Sequence, residues 1–591
     1  MRRLLLSGGA AVGLASATML VATVLMAPER AAACGGFFCG RQPVDQQAER
    51  IVFAMNPNGS VDMIVQIAYQ GTAADFAWVL PLGAVPEAGS LDVFPQRALV
   101  ALDANTGPQF QMPDDCFLWD ADASAGPPSA GGMGPRSDEG EVTVHIREEV
   151  GPFDVAVVES EDPAALVSWL RDNGFRVTTP MEPYIRVYTS EGKKFLALRL
   201  QPGEDVDSIQ PFRFTLPGEA ASIPIRMTAI AAEPEMGITV FLLGDMRYGG
   251  ANWPDVTIDD NQIVWRPYTW PQETNWTALV ARGVDEAGGR GWVTEMAGPT
   301  APYAELARST TPPDEESQAA QEALLPLLEG NPYITRLYTR LAPEEMTLDP
   351  VFRRTGGADV SNVRRLPRYV DGRDLCESPG GPVGGEDSAV TPCDFATCGA
   401  GGLCRVVAGE VMGGAGTPDV AGCACVPGTT ARTTFDPSGR PAVSCVDTRM
   451  SFLNPGDREV PGADPLPDAC VGVSCGEGSE CVAMNMTPTC ICAIGMVAVG
   501  SIDASGVRQT RCVAPREPVP VDFYTLRVPG LPIDLPGGRP SMELPGAPPP
   551  RDTSSDGGGC SAAGNTGAGS MGLGVLALAA LALVRSRRRR S

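Results

Sequence analysis

The fold of this chain is decided by the stretch Glu49-Arg-Ile-Val-Phe-Ala-Met55, Asn56-Pro-Asn-Gly59 and Ser60-Val-Asp-Met-Ile-Val-Gln-Ile-Ala-Tyr69. Two runs rich in β-branched residues flank a cluster of Pro, Asn and Gly. This arrangement is typical of two strands joined by a turn. The sequence therefore predicts that a strand pair begins the folded part of the chain.

Working outward from this pair, hydrophobic periodicity predicts mostly strands with a few helices between them. Strands are predicted over 75–81, 142–147, 153–158, 184–188, 194–200, 223–231 and 237–243, and helices over 95–104, 163–173, 314–328 and 334–341. Such a mixture favours an α+β class over a doubly wound sheet. We expect one mixed, strand-rich N-terminal domain over residues 34–375.

The N-terminus and the charge of the chain indicate export. Arg2-Arg3, the apolar run 4–26 and Ala31-Ala32-Ala33 predict a signal peptide over 1–33, which signal peptidase would remove before Cys34. The formal net charge is −26. Because phosphates are bound by Lys and Arg, this charge opposes binding to nucleic acid.

The C-terminal end predicts a stalk and a membrane segment. Residues 514–559 are rich in Pro and Gly, which predicts a disordered stalk. Asp556-Gly-Gly-Gly-Cys560, the uncharged run 571–584 and Arg587-Arg-Arg-Arg590 predict a transmembrane helix in 560–591, with its arginines in the cytoplasm. An ordinary tail anchor is the alternative, but it leaves the isolated Cys560 unexplained.

The order of these three features resembles the myxobacterial C-terminal sorting signals (MYXO-CTERM). The resemblance implies that an intramembrane sorting protease cuts near Cys560 and that this residue anchors the protein, through a lipid, at the cell surface or outer membrane. The inner membrane would then hold only the precursor.

Twelve of the 17 cysteines form an internal repeat. Both copies read C-x4-C-x5-C-x(n)-C-x-C-x19-C, with n equal to 18 and then 8. Neither copy contains His, and zinc modules favour reducing compartments, so we expect disulfides and neither metal nor cofactor. The two sets are Cys393, Cys398, Cys404, Cys423, Cys425 and Cys445, then Cys470, Cys475, Cys481, Cys490, Cys492 and Cys512.

The glycines that follow the second cysteine of each set, in Cys398-Gly399 and Cys475-Gly476, resemble those of EGF-like modules, as do Gly402-Leu-Cys404 and Ser479-Glu-Cys481. Two small modules are expected, over 393–446 and 470–513. The resemblance implies the pairings 393–404, 398–423 and 425–445, then 470–481, 475–490 and 492–512. Calcium-binding members carry an acidic residue before their first cysteine, where this chain has Pro392 and Ala469.

Four further cysteines allow two more bridges. The short interval between Cys34 and Cys39 favours a local bridge, which leaves Cys116 and Cys376 as a long-range pair. The sequence by itself permits three connectivities.

Five tryptophans within one segment form the candidate binding surface. Exposed rings of this kind stack on sugars or anchor a protein partner, whereas buried ones fill a strand-rich core, and both interpretations are open. The five are Trp253, Trp265, Trp270, Trp276 and Trp292.

Catalytic patterns are weak. His145 is the one histidine of the chain, so any triad or histidine-based metal site depends on it, and its place in an alternating strand predicts a solvent-facing side chain. The adjacent acids Asp259-Asp260 and Glu344-Glu345 could supply a general acid and base, as in glycosidases, or could simply be solvated.

Four motifs resemble domain-of-unknown-function family 2330. The resemblance covers residues 34–375 and implies no activity, because none is assigned to that family. The motifs are Ala33-Cys34-Gly-Gly-Phe-Phe-Cys39, Pro43-Val-Asp-Gln-Gln-Ala-Glu-Arg-Ile-Val52, Phe76-Ala-Trp-Val-Leu-Pro81 and Tyr338-Thr-Arg-Leu-Ala-Pro-Glu-Glu-Met-Thr-Leu-Asp-Pro-Val-Phe352.

These patterns together predict an exported, cell-surface-anchored protein that binds or adheres at the cell envelope, with no catalytic residues assigned. Its expected partners are the two processing proteases and a glycan or surface protein. The alternatives are a polysaccharide hydrolase that uses carboxylates and a passive structural component of the coat.

Overall fold

The computed structural model describes residues 45–70, 77–113, 116, 143–175, 177, 181–201, 203–204, 209–218, 221–229, 232–266, 273–376, 390–413, 417–435, 440–447, 470, 475, 479–484, 487–502 and 508–525. The signal peptide, Cys34, Cys39, Trp270 and the segment that contains Cys560 lie outside these ranges. Within them, no helix is both long and apolar enough to cross a membrane.

The strands are β1 Asp45–Met55, β2 Val61–Gln70, β3 Ala77–Leu82, β4 Asp92–Val93, β5 Gln109–Gln111, β6 Thr143–Val150, β7 Phe153–Glu159, β8 Lys194–Leu200, β9 Phe212–Leu216, β10 Ala232–Gly244, β11 Tyr248–Gly250, β12 Asp255–Val256, β13 Trp292–Pro299, β14 Tyr333–Leu341, β15 Phe352–Arg354, β16 Val363–Arg365, β17 Tyr369–Val370, β18 Arg373–Asp374, β19 Gly402–Val407, β20 Val420–Cys425, β21 Thr429–Phe435, β22 Pro441–Asp447, β23 Glu480–Met484, β24 Thr487–Ile491, β25 Val497–Ile502 and β26 Arg508–Val513. The helices are α1 Gln96–Thr106, α2 Pro163–Asp172, α3 Glu182–Ser190, α4 Ile225–Thr228, α5 Trp276–Glu286, α6 Ala301–Ser309, α7 Glu315–Gly330 and α8 Gly409–Gly413.

The predicted pair β1–β2 forms the centre of an eight-stranded sheet with the order β12-β13-β14-β10-β1-β2-β9-β4. β1 pairs antiparallel with β2 and parallel with β10. Strand residues alternate between the two faces of a sheet, so β1 buries Ile51 and Phe53 on one face and Val52 and Ala54 on the other. The strand-rich α+β class is confirmed.

A second sheet, of order β3-β8-β7-β6, faces the first. The core between the sheets contains Phe53 of the large sheet and Leu80 and Leu196 of the small one. Helices α2 and α3 cover the outer face of the small sheet, and α1, α6 and α7 cover the outer face of the large one. The N-terminal domain therefore has four layers, in the order helices, sheet, sheet, helices.

Three predicted elements are wrong. Residues 184–188 belong to helix α3, because Ile185, Tyr188 and Thr189 bury one helical face beneath the small sheet. Residues 334–341 form strand β14, which β10 and β13 pair from both sides. The predicted strand 223–231 contains the short helix α4 instead.

The twelve repeat cysteines form six disulfides, and they are the pairs that the sequence resemblance implied. These are Cys393–Cys404, Cys398–Cys423, Cys425–Cys445, Cys470–Cys481, Cys475–Cys490 and Cys492–Cys512. A seventh bridge joins Cys116 to Cys376, as expected.

Each repeat folds as two hairpins, β19–β20 with β21–β22 and then β23–β24 with β25–β26. The copies are joined, because β20 pairs with β25 in one four-stranded sheet. Residues up to 525, which the sequence assigned to the stalk from 514 onward, pack against this sheet through the buried Val519 and Phe523. We call residues 390–525 the disulfide-rich region.

Candidate functional site

The four candidate tryptophans that the structure describes do not form an exposed surface. Trp253, Trp265, Trp276 and Trp292 are 3%, 0%, 4% and 0% exposed and belong to the core between the sheets. Trp253 and Trp292 stack with ring centroids 5.4 Å apart, and Trp265 donates its Nε1–H to the Pro367 carbonyl. These four residues therefore fill the core and do not form the predicted contact surface.

His145 lies on β6, at the edge of the small sheet, where a bulge interrupts the register between Val144 and Ile146. The bulge breaks the predicted alternation and leaves Val144 39% exposed. His145 Nε2 lies 3.0 Å from Glu159 Oε2, and Lys194 pairs with the same carboxylate. His145 is therefore a surface residue that contacts the carboxylate with which Lys194 pairs. The prediction that its side chain faces solvent is confirmed.

The two predicted acid pairs occupy different environments. Asp259 caps a short helical turn by accepting from the Asn261 N–H, and Asp260 pairs with Arg364 at 3.3 Å. Glu345, in contrast, hydrogen-bonds to the carboxyl of Asp285.

An apolar concavity lies on the outer face of the large sheet. It is a groove of about 530 Å³ between α1, α6 and α7, and we call it the three-helix groove. Leu102, Leu324 and Leu328 form its buried floor. Val100 and Leu306 stand on its walls, where they are 49% and 48% exposed. Its volume is that of a ligand pocket, which typically spans about 300–1,000 Å³.

A buried polar network fixes the position of α1. Arg336 of β14 donates from Nε to Glu295 at 2.6 Å and from Nη1 to Asp103 of α1 at 2.5 Å. Arg50 of β1 also pairs with Asp103, at 3.1 Å. Glu295 accepts from the Trp276 indole at 2.7 Å, so its second oxygen has a partner too. Because every charge in the network has a partner, α1 is held at a defined distance from the sheet and the groove is preformed.

The helices around the three-helix groove carry more acidic than basic residues, while Arg97 is the one charged residue among the described residues that line the groove itself. Arg97 pairs with Asp314 and Glu316 at 3.2 and 2.8 Å, and Arg308 pairs with Glu329 at 3.0 Å. These two arginines stand against seven carboxylates on the three helices and the residue that caps α7. The carboxylates are Asp103, Glu305, Asp314, Glu315, Glu316, Glu322 and Glu329.

A second notable site lies where the N-terminal domain meets the disulfide-rich region. Between its pairings with β1, strand β10 bulges over residues 233–236, where Glu235 has a φ of 59°. We call Glu235, Asp285 and Glu345 the junction cluster. Burial and mutual repulsion raise the pKa of Asp285 to about 8 and that of Glu345 well above its ordinary value, and burial raises the pKa of Glu235.

No local sequence pattern predicts either site. The groove has no motif because its walls come from helices about 200 residues apart, and the junction cluster draws on three separate elements. Among the residues described, no group of three or more His, Cys, Asp or Glu side chains has a geometry that could hold a metal ion.

The fold and the groove define a class of protein: a four-layer α+β domain followed by a disulfide-rich region. The chain belongs to the family of uncharacterized proteins conserved in bacteria (DUF2330), which matches residues 28–353. The resemblance predicted from the four motifs is thereby confirmed. No curated protein and no solved structure matches this chain.

Proposed function

We propose that this protein is exported, anchored at the cell surface and specialised for binding, and that the three-helix groove receives the apolar face of a basic amphipathic helix from another envelope protein. The observation that carries the proposal is the preformed apolar groove with exposed Val100 and Leu306 on its walls. Large apolar side chains left exposed around a concavity mark interaction sites.

The charge of the surrounding helices supports a basic partner. Apart from Asp103, which pairs with Arg336 and Arg50 of the sheet, six carboxylates and two arginines leave an excess of negative charge on the elements that surround the apolar floor. A helix with leucines at i, i+3, i+4 and i+7 and with lysines elsewhere complements both features, as in other complexes in which a helix occupies a groove. A glycan is a poorer fit, because four of the tryptophans that would stack on it are buried.

The proposed location rests on the two ends of the chain. Its support is the signal-peptide pattern of 1–33 and the resemblance of 560–591 to a sorting signal with Cys560 as anchor. The two hairpins and the bridge order of each repeat support the assignment of EGF-like modules, which would act as a cross-linked spacer between the groove and the anchor.

The experiment measures binding of a defined peptide to the full-length protein in zwitterionic nanodiscs, with empty nanodiscs as the blank. The probe is a fluorescent 18-residue helix of leucine and lysine, compared with its leucine–glutamate counterpart and with a scrambled peptide of equal composition. We expect fluorescence anisotropy to show saturable binding of the leucine–lysine helix alone.

Matched variants locate the site. Val100→Gln combined with Leu306→Gln should weaken binding by at least tenfold, because an exposed polar side chain replaces apolar contact on both walls. Val187→Gln, on α3 and 40% exposed, is the control and should leave binding unchanged. Equal binding of all three peptides, or equal effects of both sets of substitutions, would refute the proposal, and no binding at all would favour the passive coat.

A further inference from the structure

The disulfide-rich region covers part of the junction cluster. Gly399 lies so close to Glu235 that a Cβ on it would be 3.6 Å from Glu235 Oε1 and 3.1 Å from the Cys445 carbonyl. Strand β22 packs against the turn Pro343–Glu345. The first repeat therefore removes solvent from Glu235 and covers the turn that carries Glu345, and the junction is the place where protonation of the cluster affects contact between the two parts.

The charges that face the cluster are mostly negative. From the N-terminal domain, Arg340 of β14 faces Glu235, and Glu286 and Glu344 face Asp285. From the disulfide-rich region, Gly399 and Cys445 present backbone, and Arg432 of β21 pairs with Glu233 at 3.4 Å. Tyr338 also lies near Arg340.

Among the residues that the structure describes, too few positive charges and hydrogen-bond donors face the junction cluster to stabilise its carboxyls in the ionised form. Glu235 is 5% exposed and its Oε1 accepts no hydrogen bond. Asp285 and Glu345 lie close enough for their carboxyls to interact directly, and burial together with the charge of Asp285 raises the pKa of Glu345. Two carboxylates in contact cannot both ionise without strong repulsion, as in other carboxyl pairs that share a proton.

We propose that the junction cluster is a pH-sensitive clasp, which holds the first disulfide-rich repeat against the N-terminal domain while its carboxyls are protonated and loosens that contact when they ionise. The direction follows from the raised pKa values, because groups that bind protons more tightly in the closed junction favour closure at low pH.

The loosening is confined to the edge formed by Gly399 and β22. Elsewhere, Arg373 pairs with Asp394 at 2.9 Å and Arg440 pairs with Glu273. These ion pairs also join the two parts of the chain, so the contact does not depend on the junction cluster alone.

Hydrogen exchange of the full-length protein at pH 6 and pH 9, corrected for intrinsic rates, tests this inference. We expect protection of the amides of β22 and of residues 398–402 to fall at least tenfold more than protection of α2, which is remote from the junction. The triple variant, Asp285→Asn with Glu345→Gln and Glu235→Gln, should remove this difference, because all three side chains are then neutral at every pH.

Two further variants keep the test decisive. Glu235→Gln alone should reduce the pH effect and serves if the triple variant does not fold. Glu273→Gln, which weakens the Arg440 pair at the same junction, should lower protection equally at both pH values. A uniform pH effect across the protein, or a local effect that persists in the neutral variants, would overturn the clasp.

Discussion

A buried glutamate in the central strand gives the sharpest prediction. Glu49 lies on β1 between Ile238 of β10 and Ile67 of β2, on the face that also carries Ile51 and Phe53. Its side chain is buried and its Oε2 has no hydrogen-bond partner. Burial alone raises the pKa of Glu49 from 4.5 to about 8.

The size of the effect follows from the linkage between proton binding and folding. The folded protein binds a proton at Glu49 that the unfolded chain releases above pH 4.5, so this contribution to the free energy of unfolding is complete below that pH and is lost as the pH rises through about 8. One pKa unit corresponds to about 1.4 kcal/mol. The free energy of unfolding of the wild type is therefore lower by about 1 kcal/mol at pH 5 and by about 4 kcal/mol at pH 7.5 than it would be if the side chain at position 49 stayed neutral.

The Glu49→Gln variant supplies that neutral side chain. Its amide adds a desolvation cost that is the same at every pH, so the difference between variant and wild type should shift by about 3 kcal/mol in favour of the variant between pH 5 and pH 7.5. Urea unfolding at both pH values, followed by the fluorescence of the core tryptophans, measures this shift.

The matched control is Glu87→Gln, which changes an exposed glutamate and should show no such shift. A difference between the Glu49 variant and the wild type that stays constant with pH would show that Glu49 is already ionised in the folded protein. The reasoning from burial would then be refuted.

The remaining predictions concern buried charge and covalent linkage. Replacing Arg336 with Met should cost about 3–5 kcal/mol in urea unfolding, because the buried carboxylate of Glu295 would lose its partner, whereas Arg308→Met, at an exposed pair, should leave the unfolding free energy nearly unchanged. Replacing both Cys116 and Cys376 with Ser opens a loop of 260 residues and should lower the unfolding free energy by about 5 kcal/mol. Calorimetry of the oxidised variants measures that loss, and an unchanged melting temperature would argue that the bridge adds nothing.

Local patterns predicted the elements whose cause is local. Asp162 accepts from the Ala164 N–H at 2.9 Å and Pro163 begins α2, so the residues that define this helix start are adjacent in sequence. The turn after β1 contains Gly59 with a φ of 91°, which suits glycine. The six repeat pairings are those that the resemblance to EGF-like modules implied.

Where the sequence pattern was ambiguous, contacts with neighbouring elements determined the secondary structure. The apolar residues in 334–341 fit both the period of a helix and that of a strand. They form a strand because β10 and β13 offer hydrogen bonds on both sides. Residues 184–188 carry β-branched and aromatic side chains but form a helix, because Pro183 at its start and a buried stripe against the small sheet favour it.

The sequence by itself determined the strand-rich class and the acidic charge, because composition and short-range patterns carry these properties, and its resemblance to EGF-like modules implied the covalent pairing of the repeats. Only the tertiary structure decided that Trp253, Trp265, Trp276 and Trp292 lie in the core, that α1 meets α6 and α7 to form a groove, and that Glu235, Asp285 and Glu345 converge at the junction. The physical reason is that burial and the pKa of a carboxyl depend on which distant segments exclude water, and no local pattern records that.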